Sequence, residues 1–138
     1  TVVGARPFLI AYNFTLSSKL QLNDSKSIAS LVRESIGDLK GVRAIGWWME
    51  GYRRAQVSCN LTDTFSVSAK ELFDAVSAEA HRLGGTVEAS ELIGLIPAHG
   101  LRGFAPLEDA VSYLKLEGHS PFDLKARLLE NLLNTLPR

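Results

Sequence analysis

A chain of 138 residues, 46% of them hydrophobic, with 15 Lys and Arg against 15 Asp and Glu, is the size of one ordinary globular domain and too short for a two-domain enzyme. Its zero formal net charge lacks the broad basic surface that nucleic acid or an anionic membrane selects, so neither is expected as a partner. The single cysteine, Cys59, closes no intrachain disulfide and offers no zinc spacing, which fits a reducing cytoplasm, and no apolar run approaches the roughly 20 residues of a membrane span. Opening on Thr1 rather than Met, the chain reads as a processed product or a part of something longer.

Residues 7–16, dense in aromatic and β-branched side chains, predict a first strand, with Phe8, Ile10, Tyr12 and Phe14 on one face and the smaller Leu9, Ala11 and Asn13 on the other. Asn23 or Asp24 is placed to cap a helix whose apolar positions are Ile28, Leu31, Val32 and Ile36, with Gly37 as its stop. Val42 to Trp48 and Arg54 to Leu61, separated by a break at Glu50-Gly51, predict an antiparallel hairpin. Leu72, Val76, Ala80 and Leu83 then line one helical face, opened by the capping-box pair Ser68 and Glu71 and ended by Gly84-Gly85. A fourth strand is expected within Thr86 to Ile96. Two helices follow, one started by Pro106 with Leu107, Ala110, Val111 and Leu114, the other started by Ser120-Pro121 with Leu124, Leu128, Leu129, Leu132 and Leu133.

The order βαββαβ predicts an α+β, ferredoxin-like sandwich: a mostly antiparallel four-stranded sheet with helices on one face, residues 1–97 as the core and 98–138 as appended helices. Helices cover one face, so function is sought on the other. Along the third strand Ala55, Val57, Cys59 and Leu61 point one way, while Gln56, Ser58, Asn60 and Thr62 point the other, where Asn13 of the first strand joins them. Neutral groups of this kind, each amide carrying donors and an acceptor, suit a planar polar ligand such as a pterin; a solvated outer face alternates in the same way.

The remaining candidates are weaker. His81, His99 and His119 each stand alone without an acidic partner at ligand spacing, so no metal is expected. Cys59 falls on the apolar face and reads as a small buried hydrophobe. Trp47-Trp48 puts one ring on each face of the second strand; Arg53 and Arg54 flank the hairpin, solvated or gripping a carboxylate; Gly46 and Gly94 lie within strands, where glycine marks a bulge or a close approach by ligand or backbone, the bulge being the preferred reading.

Four blocks resemble one family in order and along essentially the whole chain: Gly4-Ala5-Arg6 through Asn13, Val42 through Trp47, Ala55 through Leu61, and Ser90-Glu91 through Pro97. They are similar to the C-terminal subdomain of the formiminotransferase family. The resemblance implies a ferredoxin-like subdomain whose sheet packs on that of a preceding N-terminal subdomain, with a folate tunnel between them. It implies transfer of a formimidoyl group from N-formimidoyl-L-glutamate to N5 of tetrahydrofolate, a co-substrate, with the catalytic histidine in the N-terminal subdomain. None of the three histidines matches that one, so no catalytic residue is assigned. Asn13, Gln56, Ser58 and Asn60, with Arg6 and Glu91 from the blocks, are the candidate folate-facing residues. The stretch Glu34 to Lys40 and the region after Pro97 are shorter than in the family.

Two further readings compete. In one, the same face docks a partner domain, or a second copy of the chain in a homodimer, without chemistry. In the other, an RNA-recognition-like sheet, the aromatic set would have to face outward over basic charge.

Overall fold

The computed structural model describes residues 1–33 and 39–137. It contains strands β1 (Ile10–Leu16), β2 (Val42–Met49), β3 (Arg54–Leu61) and β4 (Val87–Ile93), and helices α1 (Leu22–Val32), α2 (Ala69–Arg82), α3 (Asp109–Tyr113), α4 (Leu124–Arg127) and α5 (Leu129–Thr135), with a 3₁₀ turn at Ala98–Leu101. The sheet order is β2-β3-β1-β4, and each neighbouring pair is antiparallel. This is the expected ferredoxin-like α+β arrangement.

Alternation along the two central strands sorts the side chains. Ile10, Tyr12, Phe14 and Leu16 of β1, and Ala55, Val57, Cys59 and Leu61 of β3, are buried beneath the helices with Ile28, Leu72, Val76 and Ala80. The aromatic pair Tyr12 and Phe14 therefore faces the core, with ring centroids 4.2 Å apart, contrary to what an RNA-stacking sheet needs. α1 lies over β2 and β3, and α2 touches β1 and β4.

Local chemistry explains the helix ends. The Ser68 hydroxyl accepts from the Glu71 N–H at 3.1 Å and the Glu71 carboxylate accepts from the Ser68 N–H at 2.7 Å, the reciprocal box the sequence predicts. α1 is capped differently from expectation. Gln21 is its N-cap, and Asp24, the third helical residue, accepts the Gln21 N–H at 2.7 Å. Its buried positions are Ser25, Ile28, Ala29 and Val32, with Leu31 turned outward. The expected Ile36 and Gly37, and most of the short stretch Glu34 to Lys40, lie outside the described residues.

Gly46 is not a bulge: the β2–β3 register runs through it unbroken. It is a close approach, since a Cβ there would stand 2.2 Å from the Lys26 backbone nitrogen, so α1 rests directly on β2 at this point. Gly94 lies just past β4, at φ 77°, where it turns the chain. The first strand begins at Ile10 rather than residue 7. Pro106 sits in the turn before α3, accepting the Asp109 N–H at 3.3 Å. The last helical stretch is broken at Leu128, because the backbone of Arg127 and Leu129 pairs with Ile96.

After α3 the chain follows the outer edge of β4. Ser90 N–H donates to the Lys115 carbonyl at 3.1 Å and Lys115 Nζ reaches the Val87 carbonyl at 2.6 Å. Gly118 then crosses against Ala89 so closely that a Cβ would stand 2.2 Å from that of Ala89. This passage covers one sheet edge and delivers His119 to the face opposite the helices.

Candidate functional site on the open sheet face

The strand registers order the uncovered face into three rows. Across the strands they read Trp47–Gln56–Thr15–Ala89, Ile45–Ser58–Asn13–Glu91 and Arg43–Asn60–Ala11–Ile93. The polar stripe expected from the third strand therefore exists as one surface. Asn13, Ser58 and Glu91 are half-buried in its middle row and Asn60 is exposed in the next. In these rows Glu91 is the one carboxylate and Arg43 the one cation.

Gln56 shares that face but not that exposure. It is fully buried and donates Nε2–H to Thr15 Oγ1 at 2.8 Å, while its Oε1 has no hydrogen-bond partner among the described residues. Thr15 Oγ1 in turn lies 2.7 Å from His119 Nε2. Thr15 Oγ1, which accepts from Gln56, keeps its own proton and a second lone pair for this contact and so serves either imidazole tautomer. The His119 ring stacks on Tyr52 at 3.9 Å and 5° between planes, and the Tyr52 hydroxyl donates to Glu91 Oε1 at 2.9 Å. That bond, made to an ionised acceptor, raises the Tyr52 pKa. The Gln56–Thr15 part of the top row is thus covered beside a hairpin-loop tyrosine and a C-terminal histidine, while Trp47 at its β2 end and much of the middle and lower rows remain open.

Arg6 stands in the exposed leading segment, outside any strand. Arg54 has its carboxylate within the chain, Glu88 at 3.2 Å. Trp47 lies on the open face and Trp48 against the core, one ring per face as expected. A shallow depression of about 120 Å³ is lined by Arg43, Ala44, Ile45, Ser58 and Asn60. Burial pushes the Cys59 thiol up to about 12, which makes it inert as a nucleophile. His99 bonds Thr64 at 2.7 Å and stacks on Phe65, and His81 bonds the Ser77 carbonyl at 2.8 Å, so each is held locally. Among the described residues no three metal-ligating side chains gather, and no helix is long and apolar enough to cross a membrane.

Sequence reasoning missed Tyr52 and His119 as parts of this face. They are 67 positions apart, on segments with no periodicity, and only the hairpin loop and the Gly118 crossing bring them together.

The formiminotransferase domain family model matches residues 11–106. The chain belongs to the formiminotransferase family. It is 36% identical over 155 aligned positions to formimidoyltransferase-cyclodeaminase of Mus musculus, covering 96% of this chain and 28% of that protein. It is 31% identical to glutamate formimidoyltransferase of Thermoplasma acidophilum, covering 97% and 42%, and 37% identical to that of Streptococcus pyogenes serotype M1, covering 96% and 42%. The chain thus spans less than half the length of these curated relatives. The formiminotransferase match takes in the sheet, α1 and α2, whereas the segment that carries His119 onto the open face lies beyond residue 106.

Proposed function

We propose that this chain is the C-terminal subdomain, and the folate-binding half, of a formimidoyltransferase that moves the formimidoyl group from N-formimidoyl-L-glutamate to tetrahydrofolate, with the catalytic histidine in a preceding N-terminal subdomain. The observation that carries this reading is the half-buried middle row Ser58–Asn13–Glu91 beside Asn60, set on the face that the helices leave open in a chain of this family. In the reaction the bond from the formimidoyl carbon to the glutamate nitrogen breaks and one to N5 of tetrahydrofolate forms. N5 gives up a proton and the departing glutamate nitrogen takes one. The residues of this chain bind and orient; proton transfer needs a positioned group of suitable pKa, which this reading places in the preceding subdomain.

The second reading, a non-catalytic folate-binding or protein-interaction module of the same descent, is favoured by the apolar residues bordering the stripe. Ile45 is 63% exposed, Ile93 53% and Trp47 38%, more apolar surface than a solvated sheet face needs. The discriminating measurement is formimidoyl transfer by the full-length protein and by residues 1–138 alone. Transfer by the full-length protein and none by the isolated chain is the expected result. A full-length protein that binds tetrahydrofolate without turnover selects the second reading, and one that neither binds nor turns over removes the folate assignment.

A further inference from the structure

We propose that Glu91 reads the amino–amide edge of the pterin ring, so that a bound folate lies across the strands with its glutamate end over β2. This rests on the reading of the open face as a folate site and assigns its direction. A pterin presents its N3–H and 2-amino N–H side by side, two parallel donors that a carboxylate accepts as a pair. Glu91 is the one carboxylate in the three rows, half-buried and adjacent to Asn13. Its Oε1 is held by the Tyr52 hydroxyl at 2.9 Å. That contact uses one of about four lone-pair sites and fixes the carboxylate's orientation.

Beyond Glu91 the face is closed. The Tyr52–His119 stack and the Thr15–Gln56 pair fill the part of the top row beside β4, so a flat ring seated on Glu91 meets an aromatic wall on that side. Across the sheet the surface falls into the depression lined by Arg43, Ser58 and Asn60. Glu91 and Arg43 stand on opposite outer strands and two residues apart along them, a separation of roughly 16 Å at sheet spacings. That span is comparable with an extended folate from pterin edge to glutamate carboxylates, which puts the glutamate end at the depression beside β2.

The test compares tetrahydrofolate with its 2-desamino-2-methyl analogue, titrated into the full-length protein and its Glu91→Gln variant with binding read by equilibrium dialysis. Glutamine keeps an acceptor for Tyr52 but opposes the pterin donors with an N–H of its own. The wild type is expected to prefer the 2-amino compound by about 10- to 100-fold, the range of a charge-assisted hydrogen bond, and Glu91→Gln to lose that preference while still binding the analogue. If the wild type binds both compounds equally, or Glu91→Gln keeps the preference, Glu91 does not read this edge although the face still binds folate. If Glu91→Gln weakens both compounds by the same factor, the residue is structural and the proposal fails. If the wild type binds neither, the folate reading itself fails and this inference with it.

Discussion

At residue scale, burial decides reactivity. Cys59 is 1% exposed between β1 and β2, and no nearby cation offsets the desolvation that lifts its pKa. An aromatic disulfide reagent at pH 8 is therefore expected to label Cys59 only after denaturant unfolds the chain, with labelling and unfolding midpoints coinciding; rapid labelling of the native protein would contradict the burial. The Ser68–Glu71 box offers a second test. The Ser68 backbone N–H, then its hydroxyl, hold the Glu71 carboxyl below the usual carboxylate range. A depressed folded pKa contributes stability that is complete above the unfolded value and disappears as pH falls through the folded one. Ser68→Ala is expected to cost about 1 kcal/mol near neutrality. The stability advantage of the wild type over Glu71→Gln should shrink as pH falls through the carboxylate range, checked by urea unfolding at several pH values.

At the scale of elements, the contact between α1 and β2 depends on an absent side chain. Gly46 lets the Ser25 and Lys26 backbone sit on the strand, and neither helix nor strand can move away cheaply, because Ser25, Ile28 and Ala29 are packed into the same layer. Gly46→Ala is expected to lower stability by about 1–3 kcal/mol, the usual cost of overpacking. Gly4→Ala, where nothing lies within 4 Å of the added carbon, should leave the urea midpoint unchanged. Equal stabilities of the two variants would show that α1 yields freely. The C-terminal segment works by a similar device at Gly118, whose lack of a side chain lets the chain pass over Ala89 and place His119 on Thr15.

At the scale of the whole molecule, the open face joins a polar stripe to exposed Ile45, Trp47 and Ile93. Apolar surface of this kind favours association at about 25 cal/mol per Å². The isolated chain is expected to dimerise through this face, and Asn60→Arg, which buries an unpaired charge in such an interface, to return it to monomer. Sedimentation equilibrium of both proteins decides this: monomers in both cases at high concentration would refute self-association. On the strand face that the sequence assigns to them, Leu9 and Ala11 are half-buried, whereas Trp47, Ile45 and Ile93 are exposed, because exposure depends on which strands end up at the edges.

What the sequence by itself determined rests on period and local chemical signature, although the α1 cap moved to Gln21 and the last periodic run broke at Leu128. Two-residue alternation in β1 and β3 sorted core from open face, the 3.6-residue pattern and Ser68–Glu71 defined α2, and the order of elements specified the ferredoxin-like sheet. The neutral stripe of Asn13, Ser58 and Asn60 was legible for the same reason. Only the tertiary structure decided which part of that stripe is accessible. Gln56 alternates in step with Ser58 and Asn60, yet it is sealed by Tyr52 and His119, which reach it from a hairpin loop and from a segment 63 positions further along the chain. Gly46 likewise left a bulge and a close approach open, with the bulge preferred, and packing decided for the close approach, a seat for α1. Periodicity records how a residue faces its own neighbours along the chain; what lies opposite it in space is set by packing between segments that share no local pattern.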